Sequence, residues 1–357
     1  MKPSILNYTL EELETLISPK FRAKQIYNWI YNKRVKSFHE MQNIPKNLRR
    51  ELDAKYTIYN STIVNKQISS DGSIKYLFKL HDGHTVETVL LLMRDTQYNE
   101  DGSIKHLPKY TVCVSSQVGC KVGCAFCLTA KGGFVRDLEA SEIVEQILQV
   151  YNDNDIDSNR RVNIVYMGMG EPLDNLQNLA QAIKVFKDPN GLSISPHRQT
   201  VSTSGLSSKI DKLAKMDLGI NLAISLHAVD DELRQQLMPI NKAYNIASIM
   251  DAVRRFPVNL RKKVMFEYLM IKDVNDDIAS AKKLVKLLNG IQSKVNLIYF
   301  NPYPGSPFGR PDTKSVKKFQ EYLLSKGVLC TIRESKGLDI SAACGQLREQ
   351  KLSGEVQ

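Results

Sequence analysis

From residue 109 onward, β-type runs alternate with amphipathic helical stretches, and this alternation limits the possible folds more than any other feature of the chain. Extended runs fall near 109–115, 162–167, 199–203, 219–226, 263–270, 294–300 and 328–333. Helical periods fall near 139–152, 176–187, 206–216, 231–237, 246–255, 276–289 and 313–326. The stretch 139–152 sets Ile143, Val144, Ile147, Leu148 and Tyr151 on one face. Strand–helix–strand units connect by crossovers, so their repetition builds a parallel sheet covered by helices, doubly wound or rolled into a full or partial barrel. Six or seven units are few for a complete eight-fold barrel. Either way, the chemistry belongs in the loops at the C-terminal ends of the strands.

Upstream the pattern differs. Thr9-Leu10-Glu11-Glu12 has the form of a capping box, Leu13, Leu16 and Ile17 give an apolar face, and Pro19 marks the stop. Ile26, Trp29 and Ile30 predict a second helix. Around them lie Lys20, Arg22, Lys24, Lys33, Arg34, Lys36, Lys46, Arg49 and Arg50, leaving residues 1–60 at +5. Residues 63–93 read as strands punctuated by turns at 69–72 and 81–83, and the polar 94–108 reads as a linker. The expected organisation is a helical basic N-terminal domain over 1–60, a β extension and linker over 61–105, a core over 106–340 and a C-terminal segment over 341–357.

With 42% apolar and 24% charged residues in 357, the chain can bury a substantial core. The longest strictly apolar run, Val89–Met93, is far below the roughly 18 residues of a membrane span. The N-terminus shows no cationic stretch followed by an apolar block, so the expected compartment is the cytoplasm. A net charge of +11 favours an acidic partner, of which nucleic acid is the commonest.

Four of the six cysteines, Cys113, Cys120, Cys124 and Cys127, fall within fifteen residues; Cys330 and Cys344 lie far downstream. In a reducing compartment such a cluster points to a metal or reactive-thiol site. Cys120, Cys124 and Cys127 are spaced C-x3-C-x2-C, in the loop after the first strand of the alternating region. Three thiolates on a four-iron cluster leave one iron open to a ligand, because full ligation takes four. A structural zinc, completed by a distant His or by Cys330, is the competing reading.

The cysteine loop, with Phe126 before its last thiol, resembles the signature of radical S-adenosylmethionine enzymes. Five further motifs narrow the likeness: Met167–Pro172 (MGMGEP), Val201–Gly205 (VSTSG), Ser225–His227 (SLH), Leu237–Asn241 (LMPIN) and Ala342–Leu347 (AACGQL). Together they resemble the RlmN/Cfr family of RNA adenine methyltransferases over residues 85–347, and more loosely at the N-terminus. The resemblance implies a partial (β/α)6-type radical S-adenosylmethionine barrel with an N-terminal helical plus β accessory domain. It implies that Cys120, Cys124 and Cys127 ligate a 4Fe–4S cluster whose open iron chelates S-adenosylmethionine, which an electron splits to a 5′-deoxyadenosyl radical.

By the same likeness, Cys344 takes a methyl from a first S-adenosylmethionine, loses a hydrogen atom to the radical and joins the adenine ring through carbon. Cys113 resolves that adduct, leaving a Cys113–Cys344 disulfide, and Glu87 removes the ring proton. Contacts to S-adenosylmethionine fall to Gly170, Glu171, Ser202, Ser225, Leu226, His227 and Asn301. The implied reaction is C2 methylation of an adenine in 23S rRNA, at the peptidyl transferase centre, and of the adenine 3′ to the tRNA anticodon. An electron donor such as flavodoxin is implied, and a monomer is expected. Pro172 resembles the C2 branch, with C8 methylation as the alternative. From other classes come an RNA-binding protein with a structural metal and a radical enzyme acting on a small molecule or protein. Cys330 reads as a core residue.

Overall fold

The computed structural model describes residues 2–157, 162–258 and 263–349; Met1 and residues 350–357 of the C-terminal segment lie outside the described residues. The chain opens with α1 (Leu10–Leu16), α2 (Lys20–Tyr31) and α3 (Lys46–Lys55). The capping box forms: the Glu12 N–H donates to Thr9 Oγ1 at 3.3 Å and the Thr9 N–H to Glu12 Oε2 at 2.7 Å. α1 stops at Leu16 with its C-cap at Ile17, Pro19 follows two residues on as the expected stop, and the same proline stands at the N-cap of α2.

Three antiparallel strands follow, β1 (Thr62–Ile68), β2 (Ile74–Lys79) and β3 (Thr85–Arg94). The segment read as a linker carries a small ribbon, β4 (Gln97–Tyr98) paired with β5 (Ile104–His106). Asp101 accepts the Ser103 N–H at 2.9 Å and Gly102 takes φ 80°, which closes its turn. Both faces of the ribbon are exposed, so no apolar alternation announces it.

The alternating region then runs β6 (Lys109–Cys113), β7 (Gln117–Gly119), α4 (Leu128–Lys131), β8 (Phe134–Asp137), α5 (Ala140–Asp153), β9 (Asn163–Tyr166), α6 (Leu176–Lys187) and β10 (Gln199–Thr203). It continues with α7 (Ser207–Lys215), β11 (Asn221–Ser225), α8 (Asp231–Leu237), α9 (Ile246–Arg255), β12 (Val264–Met270), α10 (Ile278–Leu287), β13 (Ser293–Tyr299), α11 (Thr313–Ser325) and β14 (Leu329–Arg333). One ten-stranded sheet has the order β1-β2-β3-β6-β9-β10-β11-β12-β13-β14, parallel from β6 to β14. β7 and β8 form a separate pair beneath the cysteine loop.

The sheet is rolled. On a flat sheet β9 and β14 would stand about 24 Å apart, five spacings of roughly 4.8 Å. Yet Arg333, at the end of β14, reaches to 3.8 Å from the sulfur of Met167, just beyond β9. This is a partial barrel of six strand–helix units with β14 added, flanked by antiparallel β1–β3. The N-terminal helices share its hydrophobic core. They cover the outer face of α5, where the Ser141 N–H donates to Asn7 Oδ1 at 2.8 Å and Glu145 accepts the N–H groups of Asn60 and Ser61 at 2.9 and 2.8 Å.

Candidate active site

The cysteine loop leaves the barrel after β6 and is pinned at both ends. The Cys120 N–H donates to the Gly133 carbonyl at 2.7 Å, and the Ala125 N–H to the Leu237 carbonyl at 2.9 Å. Gly119 makes the turn possible: its φ is 73°, and a Cβ there would meet the Gly133 oxygen at 2.0 Å. Cys120, Cys124 and Cys127 face a cavity of about 160 Å³ at the C-terminal mouth of the strands. Burial pushes the Cys120 thiol up to about 12 and the Cys124 thiol well above its ordinary value, and neighbouring cysteines add to both shifts.

The same cavity is lined by Gly170, Glu171, Ser202, Ser225 and His227 from the ends of β9, β10 and β11. Glu171 is buried, and both its oxygens are occupied: Oε2 accepts the Ser204 N–H at 2.7 Å and Oε1 the Leu173 N–H at 3.1 Å. Gly170 is required by packing as much as by any ligand, since a Cβ there would meet Gln117 Cβ at 2.6 Å. His227 sits at φ 60°, its Nδ1 accepting the Leu269 N–H at 3.1 Å and its ring edge-on to Phe126 at 5.0 Å. Burial, reinforced by Arg234, pushes His227 down to about 3, so the ring is neutral.

A second cavity, of about 610 Å³, runs inside the barrel between β3, β6 and β9 on one side and β12–β14 on the other. Val89, Leu91, Val165 and Ile298 give it apolar walls, and Lys294, Arg333 and Lys336 give it positive charge. Cys113 and Asn301 line this chamber, not the first; Asn301 Nδ2 is buried without a hydrogen bond. Cys344 lines both. Its segment is stitched to the cysteine loop: the Leu128 N–H donates to the Gly345 carbonyl at 2.7 Å and Thr129 Oγ1 to the Leu347 carbonyl at 2.5 Å. Cys113 and Cys344 are free thiols, and burial raises both, Cys113 to about 12.

Two expected site residues line neither cavity. Leu226 is buried, and its carbonyl accepts from Arg234 Nε at 3.2 Å. Glu87 is buried in β3, 3.2 Å from Lys75 Nζ, and its Oε2 accepts the Arg348 N–H at 2.9 Å.

Three charged residues escaped the sequence reading. Arg234 is fully buried and donates to the carbonyls of Ser204, Ser225, Leu226 and Tyr244 and to Asn241 Oδ1, tying the ends of β10 and β11 together. Glu267 and Arg333 form an ion pair at 3.6 Å beside both reactive-thiol candidates. The signal for Glu267 was available, because an ionisable residue within the apolar run of a buried parallel strand is anomalous.

The thiol trio suits a polynuclear iron site. Three half-buried thiols share one cavity wall, and among the described residues no three His, Cys, Asp or Glu side chains converge as ligands of a single ion. Cys330, the candidate fourth zinc ligand, lies in β14 outside that cavity. A rolled parallel sheet with such a trio at its C-terminal mouth defines a radical S-adenosylmethionine enzyme.

Residues 114–285 match the model of the radical SAM superfamily, and residues 4–58 that of the ribosomal RNA large subunit methyltransferase N-terminal domain. The dual-specificity RNA methyltransferase RlmN of Sulfurovum sp. (strain NBC37-1) is 69% identical over 355 residues, covering 99% of each chain. Its counterpart in Sulfurimonas denitrificans is 62% identical over 357 residues, covering 100% of each chain. A crystal structure of a radical SAM methyltransferase from Sphaerobacter thermophilus matches with a TM-score of 0.88 at 39% identity, over 97% of this chain and 99% of that one. The chain belongs to the RlmN family of radical S-adenosylmethionine RNA methyltransferases. It is therefore an RNA-methylating enzyme whose cofactors are a 4Fe–4S cluster and S-adenosylmethionine.

Proposed function

We propose that this enzyme methylates C2 of adenine, in 23S rRNA at the peptidyl transferase centre and in tRNA 3′ to the anticodon. The observation that carries the reading is the position of Cys344, whose side chain borders both the thiol-lined chamber and the larger basic one. A sulfur there can accept a methyl group on one side and present it to a nucleobase on the other.

Cys120, Cys124 and Cys127 would hold the cluster, with Gly170, Glu171, Ser202, Ser225 and His227 around the cosubstrate. Bound together, cluster and cosubstrate supply a carbon radical able to take hydrogen from an unactivated methyl group. The chain's own residues do the rest. Cys344 gives up its proton and takes the methyl group of a first S-adenosylmethionine as a thioether, with S-adenosylhomocysteine as the leaving group. The apolar walls of the larger chamber hold an extruded adenine, while Lys294 and Lys336 meet its phosphates. Glu87, which borders neither chamber in this structure, would accept the ring proton once the Arg348 segment moves off it and opens it to the larger chamber. Cys113, in the same chamber as Cys344, loses its proton and attacks the Cys344 sulfur; the disulfide forms as the sulfur–carbon bond to the adenine adduct breaks, and the released carbon takes up a proton to become the product methyl group.

We assign residues 1–60 to RNA contact, 61–105 to an extension of the barrel sheet, 106–340 to the catalytic core and 341–357 to carrying Cys344. Among the described residues no helix is long and apolar enough to cross a membrane. The proposed setting is the cytoplasm, with a monomeric enzyme reduced by a donor such as flavodoxin. Mass spectrometry of RNA incubated with the reconstituted enzyme tests the reaction. 2-Methyladenosine, lost in Cys344→Ala, is the expected product; 8-methyladenosine or unmodified RNA overturns the reading.

A further inference from the structure

The cofactor chamber contains two carboxylates, Glu171 and Glu267, among its described lining residues. Their circumstances differ. Glu171 has each oxygen engaged by a backbone N–H, so its charge already serves to hold the loops that follow β9 and β10. Glu267 projects from the middle of β12, is 5% exposed, and accepts no hydrogen bond at Oε1. Its charged neighbour, Arg333 Nη1, stands off at 3.6 Å, beyond hydrogen-bond distance. A carboxylate oxygen buried this far, with one cation standing off and no hydrogen bond, is incompletely compensated and leaves room for a second positive partner. His227 does not answer it: its Nδ1 accepts the Leu269 N–H, and no hydrogen bond from its ring reaches Glu267 Oε1. Cys344 lines the same chamber and stands close enough to Glu267 to feel its charge, so a sulfonium that hands its methyl group to Cys344 comes near this wall.

We propose that Glu267 is the counter-charge for the sulfonium of S-adenosylmethionine, with Arg333 holding the carboxylate in place until the cosubstrate arrives. This makes Glu267 a binding residue that senses charge at sulfur, a part that Glu171, with both oxygens already engaged, leaves open. The inference rests on the cofactor reading above. S-Adenosylhomocysteine separates the two, because it keeps the adenosyl, amino and carboxyl groups and lacks the positive sulfur.

Equilibrium dialysis of both compounds against the anaerobically reconstituted protein gives their affinity ratio for each variant. Glu267→Gln keeps the shape and removes the charge; it should weaken S-adenosylmethionine roughly tenfold and leave S-adenosylhomocysteine within about twofold. Arg333→Met removes the competing cation, and the ratio should hold or shift toward the sulfonium compound. Because each variant is read as a ratio, a general loss of folded protein cancels. Equal weakening of both compounds by Glu267→Gln, or no weakening, overturns the assignment. If the unaltered protein binds neither compound, the cofactor reading itself fails and this inference falls with it.

Discussion

At the residue scale, buried ionic groups organise the site more than its exposed polar ones do. Arg234 is the clearest case, because one guanidinium satisfies five acceptors from the loops after β10, β11 and α8. Arg234→Met would orphan those acceptors together, so thermal unfolding should show a loss of roughly 3 kcal/mol or more, with weaker cosubstrate binding. Cys113→Ala should instead leave folding and iron content unchanged and trap the protein–RNA adduct, visible as a slowly migrating band that RNase shortens. The cysteines and the residues around the first chamber were legible, because their spacing and motifs are local in sequence. Arg234, Glu267 and Arg333 were not assigned, since each draws its meaning from partners that only the rolled sheet brings near. Asn301 was expected in the first chamber and borders the second, a distinction that no linear motif encodes.

At the element scale, each strand and helix read from the alternation after residue 109 is present, most to within two residues. Their periodicity is strong because each helix buries an apolar face and most of the parallel strands are largely buried, β14 at the end of the sheet being the exception. The short β7–β8 pair and the β4–β5 ribbon left no such trace, being two to four residues long and, in the ribbon, exposed. β7–β8 still matters, because it fixes the base of the cysteine loop. Gly119→Ala would combine a positive φ with the Gly133 oxygen at 2.0 Å, so the strand pair must part. Backbone strain of about 1–3 kcal/mol should appear as a lower unfolding midpoint, and iron per chain after reconstitution should drop. At the N-terminus, Thr9→Ala should remove the capping box of α1 and cost about 1 kcal/mol without affecting iron content.

For the whole molecule, the N-terminal module and the barrel fold around shared buried groups, and one of these titrates. Burial pushes the Glu145 carboxyl from 4.5 up to about 7, against the hydrogen bonds that Ser61 and Asn60 donate to it. The folded chain therefore holds this proton over a range where the unfolded chain has released it. The resulting advantage of the protonated fold is complete at pH below the unfolded value and fades as pH climbs through 7, by about 3 kcal/mol in total. Unfolding midpoints should accordingly fall between pH 5 and pH 8. In Glu145→Gln the slope should flatten, although the amide leaves one Ser61 or Asn60 donor unmatched. The basic surface makes a separate forecast: RNA retention should decline linearly in log–log plots against salt, and replacing Arg49 and Arg50 with Gln should reduce that slope by about 2.

The sulfur that borders both chambers also bears on chemical intervention. An adenosine-like head lodged among the loops could be tethered past Cys344 to a nucleobase filling the basic hollow, giving a bisubstrate inhibitor. Methyltransferases that deliver the group directly from donor to acceptor have no such interposed thiol, so a tether bearing a mild electrophile beside it would discriminate by reactivity as well as by fit.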